Sequence, residues 1–161
     1  MNQNKQIRQL LEQVPDPEIP VLSVVDLGIV RDVIWTDAGP EIVITPTYSG
    51  CPAMNTIEIN IRAVLEDNGF PDAKITTVLS PAWTTDWMSE AGREKLLAYG
   101  IAPPKKGEKD KHALFADPPE IACPHCGSTD TEMVAQFGST ACKALYRCLS
   151  CKEPFDYFKC H

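Results

Sequence analysis

The chain has 161 residues, 43% hydrophobic and 23% charged, a soluble globular composition with room for one domain or a small domain plus a metal-stapled module. Fifteen Lys and Arg against 22 Asp and Glu give a formal charge of −7, which argues against general nucleic-acid binding and against docking on anionic lipid. No apolar run approaches the ~20 residues of a membrane-spanning helix, and Met1 to Gln9 lacks the apolar core of a secretory signal, so a cytoplasmic location is expected.

In chain order, Ile7, Leu10, Leu11 and Val14 follow a helical spacing that Pro15 and Pro17 end. The stretch DPEIPVLSVVDLGIV is too rich in proline for a regular element until about Gly28. Ile29 to Thr36 and Glu41 to Thr47 read as strands of a hairpin across the Asp37-Ala38-Gly39-Pro40 turn. Pro52 suits the first position of a helix whose apolar stripe is Ile57, Ile61, Val64 and Leu65, closed by Asn68-Gly69. Lys74 to Ser80 is a third strand, reached by a crossover long enough for parallel pairing. A last helix runs from about Ser89 to Tyr99. The expected fold is α/β: a small α-β-β-α-β-α sandwich with a mixed three-stranded sheet, linked to a mostly β zinc-ribbon module. Residues 1–101 form the first domain, 102–119 a proline-rich, charged linker, and 120–161 the second domain.

Charge and cysteine both divide along this line. Residues 1–100 hold 7 basic and 14 acidic side chains, whereas residues 101–161 hold 8 of each. Of seven cysteines only Cys51 lies in the first part. In a reducing compartment, clustered cysteines point to metal or redox chemistry rather than disulfides.

The second part carries two C-x-x-C pairs, Cys123/Cys126 and Cys148/Cys151, with 21 residues between Cys126 and Cys148. Two such knuckles complete a tetrahedral four-thiolate site. Zinc is the default occupant, with iron possible in the same geometry. The role is structural, because four protein ligands leave no open coordination position. A module of roughly 40 residues is too small for an apolar core to suffice, so metal binding supplies much of its folding free energy. Cys142 and Cys160 are surplus: they are either small buried hydrophobes, or a second thiol pair or alternative ligand set that could include His161. His125, inside the first knuckle, faces outward in this reading.

Cys51 is the candidate for chemistry. It follows a strand and a turn, and Pro52 starts the next helix, so its sulfur lies at a helix N-terminus, where free N–H groups and the macrodipole favour a thiolate. Such a group serves as nucleophile, redox centre or soft-metal ligand; the alternative, that Cys51 packs under the turn, stays open. Asp16, Glu18 and Asp26 flank the proline-rich loop and either line the same cleft or cap the loop. Thr45, Thr47 and Ser49 add hydroxyls. Trp83 and Trp87, four apart, read as core rather than contact surface.

These residues carry a resemblance. DPEIPVLSVVDLGIVRDV, TPTYSGCPA and SPAWTTDWMSEAGREKL are similar to the SufT-like iron–sulfur assembly domains, and the tail FGSTACKALYRCLSCKEPFDYFKCH resembles the PaaD-like accessory proteins of multicomponent phenylacetyl-CoA epoxidase systems. The resemblance implies that Cys51, after Thr45 in the T-x-x-x-x-x-C-P turn, handles iron or iron–sulfur clusters, and that Asp16-Pro17-Glu18 is the opening signature. It implies an accessory role without independent catalysis in aerobic phenylacetate degradation. The chemistry would belong to separate oxygenase and reductase subunits, which are the implied partners together with other iron–sulfur assembly proteins. Two other classes compete: an iron–thiolate electron carrier of the same complex, and a nucleic-acid-binding zinc ribbon using Lys143, Arg147, Lys152 and Lys159 beside Tyr146, Phe155, Tyr157 and Phe158. No G-x-G-x-x-G cradle supports a nicotinamide or flavin enzyme.

Overall fold

Two compact units make up the chain, Met1–Gly92 and Arg93–His161, in a computed structural model that describes residues 2–48, 50–104 and 120–158. In the first unit, Asn2 caps α1 (Gln3–Leu11) by accepting the Asn4 N–H at 3.1 Å, and the helix buries Ile7, Leu10 and Leu11. Proline ends α1 as the sequence requires, yet the segment that follows is no surface loop. Val14, Ile19, Leu22, Val24, Leu27 and Ile29 are all 2% exposed or less. Their backbone is satisfied without a regular element: Asp16 N–H donates to Leu22 O at 2.8 Å, and Val24 N–H to Val14 O at 3.0 Å.

The sheet has the order β1-β2-β3, formed by β1 (Val30–Thr36), β2 (Gly39–Ile44) and β3 (Lys74–Thr77). The hairpin β1–β2 is antiparallel, and β3 pairs parallel to β2 with Ile42 opposite Ile75, as a crossover through a helix allows. That helix, α2 (Ala53–Asp67), buries Ile57, Ile61 and Leu65, and α1 lies against it. The expected second strand extends to Thr47, but β2 stops at Ile44. Its continuation bends so that the Thr45 N–H meets Ile29 O at 2.9 Å. After β3, a short 3-10 turn (Thr85–Trp87) leads to α3 (Glu90–Ala98), where Ser89 Oγ accepts the Gly92 N–H at 2.9 Å. The order α-β-β-α-β-α and the mixed three-stranded sheet match the sequence reading.

The second unit is a four-stranded sheet of order β4-β7-β6-β5. It contains β4 (Ile101–Ala102), β5 (Thr131–Ala135), β6 (Lys143–Cys148) and β7 (Pro154–Phe158). Its core is small: Ala102, Ile121, Cys123, Ala144, Tyr146, Cys148, Phe155 and Tyr157, with Tyr146 stacked on Phe155 at 5.8 Å. The two-residue β4 is not legible in sequence; it pairs parallel to β7, Ile101 with Asp156 and Ala102 with Tyr157. Composition shifts at 101/102, while packing divides the chain at 92/93. Most of the expected linker, residues 105–119, lies outside the described residues, as do Ser49, Cys160 and His161. Among the described residues no helix is long and apolar enough to cross a membrane.

Trp83 is buried and donates its indole N–H to Leu27 O at 2.8 Å, as a core residue. Trp87 is half-buried under the Arg31 guanidinium, 3.4 Å from the ring centroid. Gly28 allows the Trp87 backbone to come close: its φ is +74°, and a Cβ there would sit 2.3 Å from Trp87 O. Gly28→Ala should destabilise the first unit by about 2 kcal/mol or more, seen as a lower urea midpoint with an unchanged slope.

Candidate metal centre and the cysteine turn

Each C-x-x-C pair folds into a tight knuckle, and the two are built alike. Cys123 N–H donates to Ser128 O at 2.8 Å, and Cys148 N–H donates to Glu153 O at 3.0 Å, five residues on in both cases. The residue after each second cysteine adopts a left-handed conformation: Gly127 at φ +78° and Lys152 at φ +68°. In each knuckle a backbone N–H points at the first cysteine's sulfur, from His125 to Cys123 and from Cys151 to Cys148, both at 3.4 Å. Only the glycine stands out in sequence. The matching position in the second knuckle, four residues after Cys148, is the available signal for Lys152.

The knuckles bring their sulfurs together. Cys126 Sγ lies 3.6 Å from Cys148 Sγ, Cys123 Sγ lies 3.8 Å from Cys151 Sγ, and all four fall within 4.8 Å of one another. A tetrahedral ion with metal–sulfur bonds of ~2.3 Å needs edges of about 3.8 Å, so the donor set fits a four-thiolate metal. Among the described residues no other group of His, Cys, Asp and Glu is so gathered.

Before metal binds, the thiols oppose one another. The Cys151 amide, helped by that of Ser150 and the Cys126 thiol, lowers Cys148 to about 6 against the effect of burial. The Glu153 amide acts downward on Cys151, but burial and its three neighbouring thiols outweigh it and push it up to about 12. Metal must therefore displace at least the Cys151 proton.

In the first unit, Cys51 is half-buried and free, directly before Pro52, the N-cap of α2. Among the described residues no side chain caps that helix and no acidic residue sits in its first turn; the Met54 N–H is bonded to Cys51 O at 3.3 Å. Thr45, on the same β2–α2 connection, is 2% exposed, and its Oγ1 has no hydrogen-bond partner among the described residues. The flanking carboxylates serve the proline-rich segment. Asp16 Oδ1 accepts the Glu18 and Ile19 N–H groups at 2.9 and 2.8 Å. Asp26 accepts the Ser23 N–H at 3.1 Å and the Ser89 hydroxyl at 3.2 Å. Glu18 is exposed. Cys142 is buried 3.1 Å from Thr140 Oγ1, and the His125 side chain is exposed.

Residues 4–79 match the iron–sulfur cluster assembly protein family, and residues 107–159 match the PaaD zinc beta ribbon domain. Over 155 residues the chain is 53% identical to an Escherichia coli (strain K12) protein named as one of the subunits of a 1,2-phenylacetyl-CoA epoxidase, covering 96% of this chain and 92% of that one. The chain belongs to the PaaD family. A second relative, the Fe-S protein maturation auxiliary factor of Porphyromonas gingivalis (strain ATCC BAA-308 / W83), is 36% identical over 59% of this PaaD-family chain and 89% of its own length. The first part also superposes on the domain of unknown function DUF59 from Bacillus anthracis, with a TM-score of 0.53 and 30% identity over 58% of this chain and 90% of that one. The four gathered cysteines, a group that could hold a metal ion, thus lie within the stretch that matches the PaaD zinc beta ribbon domain.

Two outcomes check this site. Stripping the metal with a strong chelator should abolish near-UV signals of Tyr146 and Tyr157 while leaving the helical signal of the first unit, and zinc titrated back near neutral pH should release protons into a weakly buffered solution. Lys152→Gly should raise the stability of the metal-loaded ribbon by about 1 kcal/mol, and Gly127→Ala should lower it by a similar amount, both read by thermal unfolding.

Proposed function

We propose that this chain is an accessory factor that matures or maintains the metal centres, di-iron or iron–sulfur, of a multicomponent phenylacetyl-CoA 1,2-epoxidase. Cys51 is the thiol that handles iron or a cluster in transit, and iron here is cargo, not a resident cofactor. The ribbon, residues 120–161, holds zinc and docks an oxygenase or reductase subunit, while residues 1–101 carry the cargo chemistry. A cytoplasmic location accords with that role.

The observation that carries the reading is the kinship of the whole chain to a protein named as an epoxidase subunit, joined to the kinship of its first part to an iron–sulfur maturation factor. The local geometry supports it. A free half-buried thiol stands at the head of a fifteen-residue helix that no described side chain caps, on the same connection as a Thr45 hydroxyl with no hydrogen-bond partner among the described residues. A buried hydroxyl without a partner costs stability of order 1 kcal/mol and is retained where function uses it. Asp16 and Asp26 support this turn indirectly, by fixing the segment that Thr45 bonds through Ile29 O.

Cys51→Ser should lower the activity of the reconstituted epoxidase and the iron content of its partner subunits by about tenfold or more, with the ribbon's own metal unchanged. Wild-type values for both would remove Cys51 from the mechanism. Thr45→Val should leave the chain as stable as wild type or slightly more stable, by up to about 1 kcal/mol, while lowering the same iron content. The competing electron-carrier reading uses the same four sulfurs with iron; a colourless anaerobic preparation with one zinc per chain excludes it.

A further inference from the structure

The four cysteine residues of the ribbon are unequally buried. Cys123 and Cys148 are 2% and 0% exposed, Cys151 is half-buried, and Cys126 is exposed. The Cys126 corner of the tetrahedron therefore belongs to the residue most open to an external oxidant. That corner already has a partner within reach, because Cys126 Sγ is 3.6 Å from Cys148 Sγ on the other knuckle. The knuckles are also tied by a 2.8 Å hydrogen bond between the Ser128 and Ser150 hydroxyls, which keeps the two sulfurs facing each other.

We propose that Cys126 is a site of oxidation by hydroperoxides, that its oxidation links it to Cys148, and that this releases the ribbon's metal. In the first step the Cys126 thiolate attacks one peroxide oxygen. The S–O bond forms, the O–O bond breaks, and hydroxide leaves and takes a proton. In the second, Cys148 sulfur attacks the Cys126 sulfenic acid; the S–S bond forms, the S–O bond breaks, and water leaves with a proton from solvent. The two sulfurs lose two electrons and the peroxide gains two. Only Cys123 and Cys151 then remain as thiolates, which is half of a structural ligand set.

The consequence reaches the fold, because the ribbon core has eight residues and two of them are the ligands Cys123 and Cys148. The other thiols among the described residues are placed differently. Cys142 is buried against Thr140, and Cys51 lies in the first unit, where its oxidation appears in a separate peptide.

The proposal rests on the reading of the ribbon as metal-loaded, not on the role given to Cys51. The test uses the full chain isolated under reducing conditions with its bound metal counted, then treated with stoichiometric hydrogen peroxide. A colorimetric chelator follows metal release, and mass spectrometry of unreduced peptides locates the link. The expected result is one Cys126–Cys148 link per metal released. Cys126→His, which keeps a three-cysteine, one-histidine ligand set, should release metal about tenfold more slowly. A first link elsewhere, metal release without a link, or an equal rate in a metal-loaded variant overturns the proposal. Where the variant does not retain metal, the wild-type peptide map decides alone. A chain isolated without metal overturns the metal-loaded reading itself, which separates that failure from this one.

Discussion

Everything in the second unit depends on four cysteine sulfurs being held within 4.8 Å of one another. Left to themselves, thiolates at that distance repel, and the thiols answer by splitting their proton affinities, Cys148 down and Cys151 up. A cation bound at the centre would convert the repulsion into cohesion. The protein's part is to set the geometry in advance: a left-handed residue after each knuckle, one amide aimed at the first sulfur of each pair, and a backbone bond that closes each turn. Three stacked or edge-on aromatics then have enough support to complete a core that would not stand alone.

The first unit solves a different problem. Its proline-rich segment buries six aliphatic side chains without offering a helix or a ladder to satisfy its backbone. Irregular backbone bonds do so instead, together with two carboxylates: Asp16 accepts the Glu18 and Ile19 N–H groups, and Asp26 that of Ser23. The loop is thereby made part of the core, and it positions Ile29, whose carbonyl holds the start of the Cys51 turn. The acidic candidates of this domain thus act first as structure, and the thiol they help to place is where chemistry has room to occur.

Much of this is legible in sequence for identifiable reasons. The stripe Ile57, Ile61, Leu65 declares α2, and the knuckle spacing declares the metal ligands, because both are short-range patterns with one geometric solution. Pro52 marks the helix start beside Cys51 for the same reason. What is not legible depends on tertiary partners. Residues 14–29 have no period, so their burial shows only once α1 and the sheet surround them. The early end of β2 at Ile44 follows from a bond between Thr45 and Ile29, far back along the chain, and Thr45 is a common strand residue until its hydroxyl is found without a partner among the described residues. Lys152 is hidden because a lysine gives no hint of a left-handed backbone.

The pairing of β4 with β7 has a bearing on the segment between them. Ile101 and Ala102 are hydrogen-bonded to Asp156 and Tyr157, so the chain leaves this sheet at one edge and later returns to the same sheet. The residues on either side of the charged stretch 105–119 therefore belong to one sheet and one compact unit: Ile101 and Ala102 before it, Asp156 and Tyr157 after it.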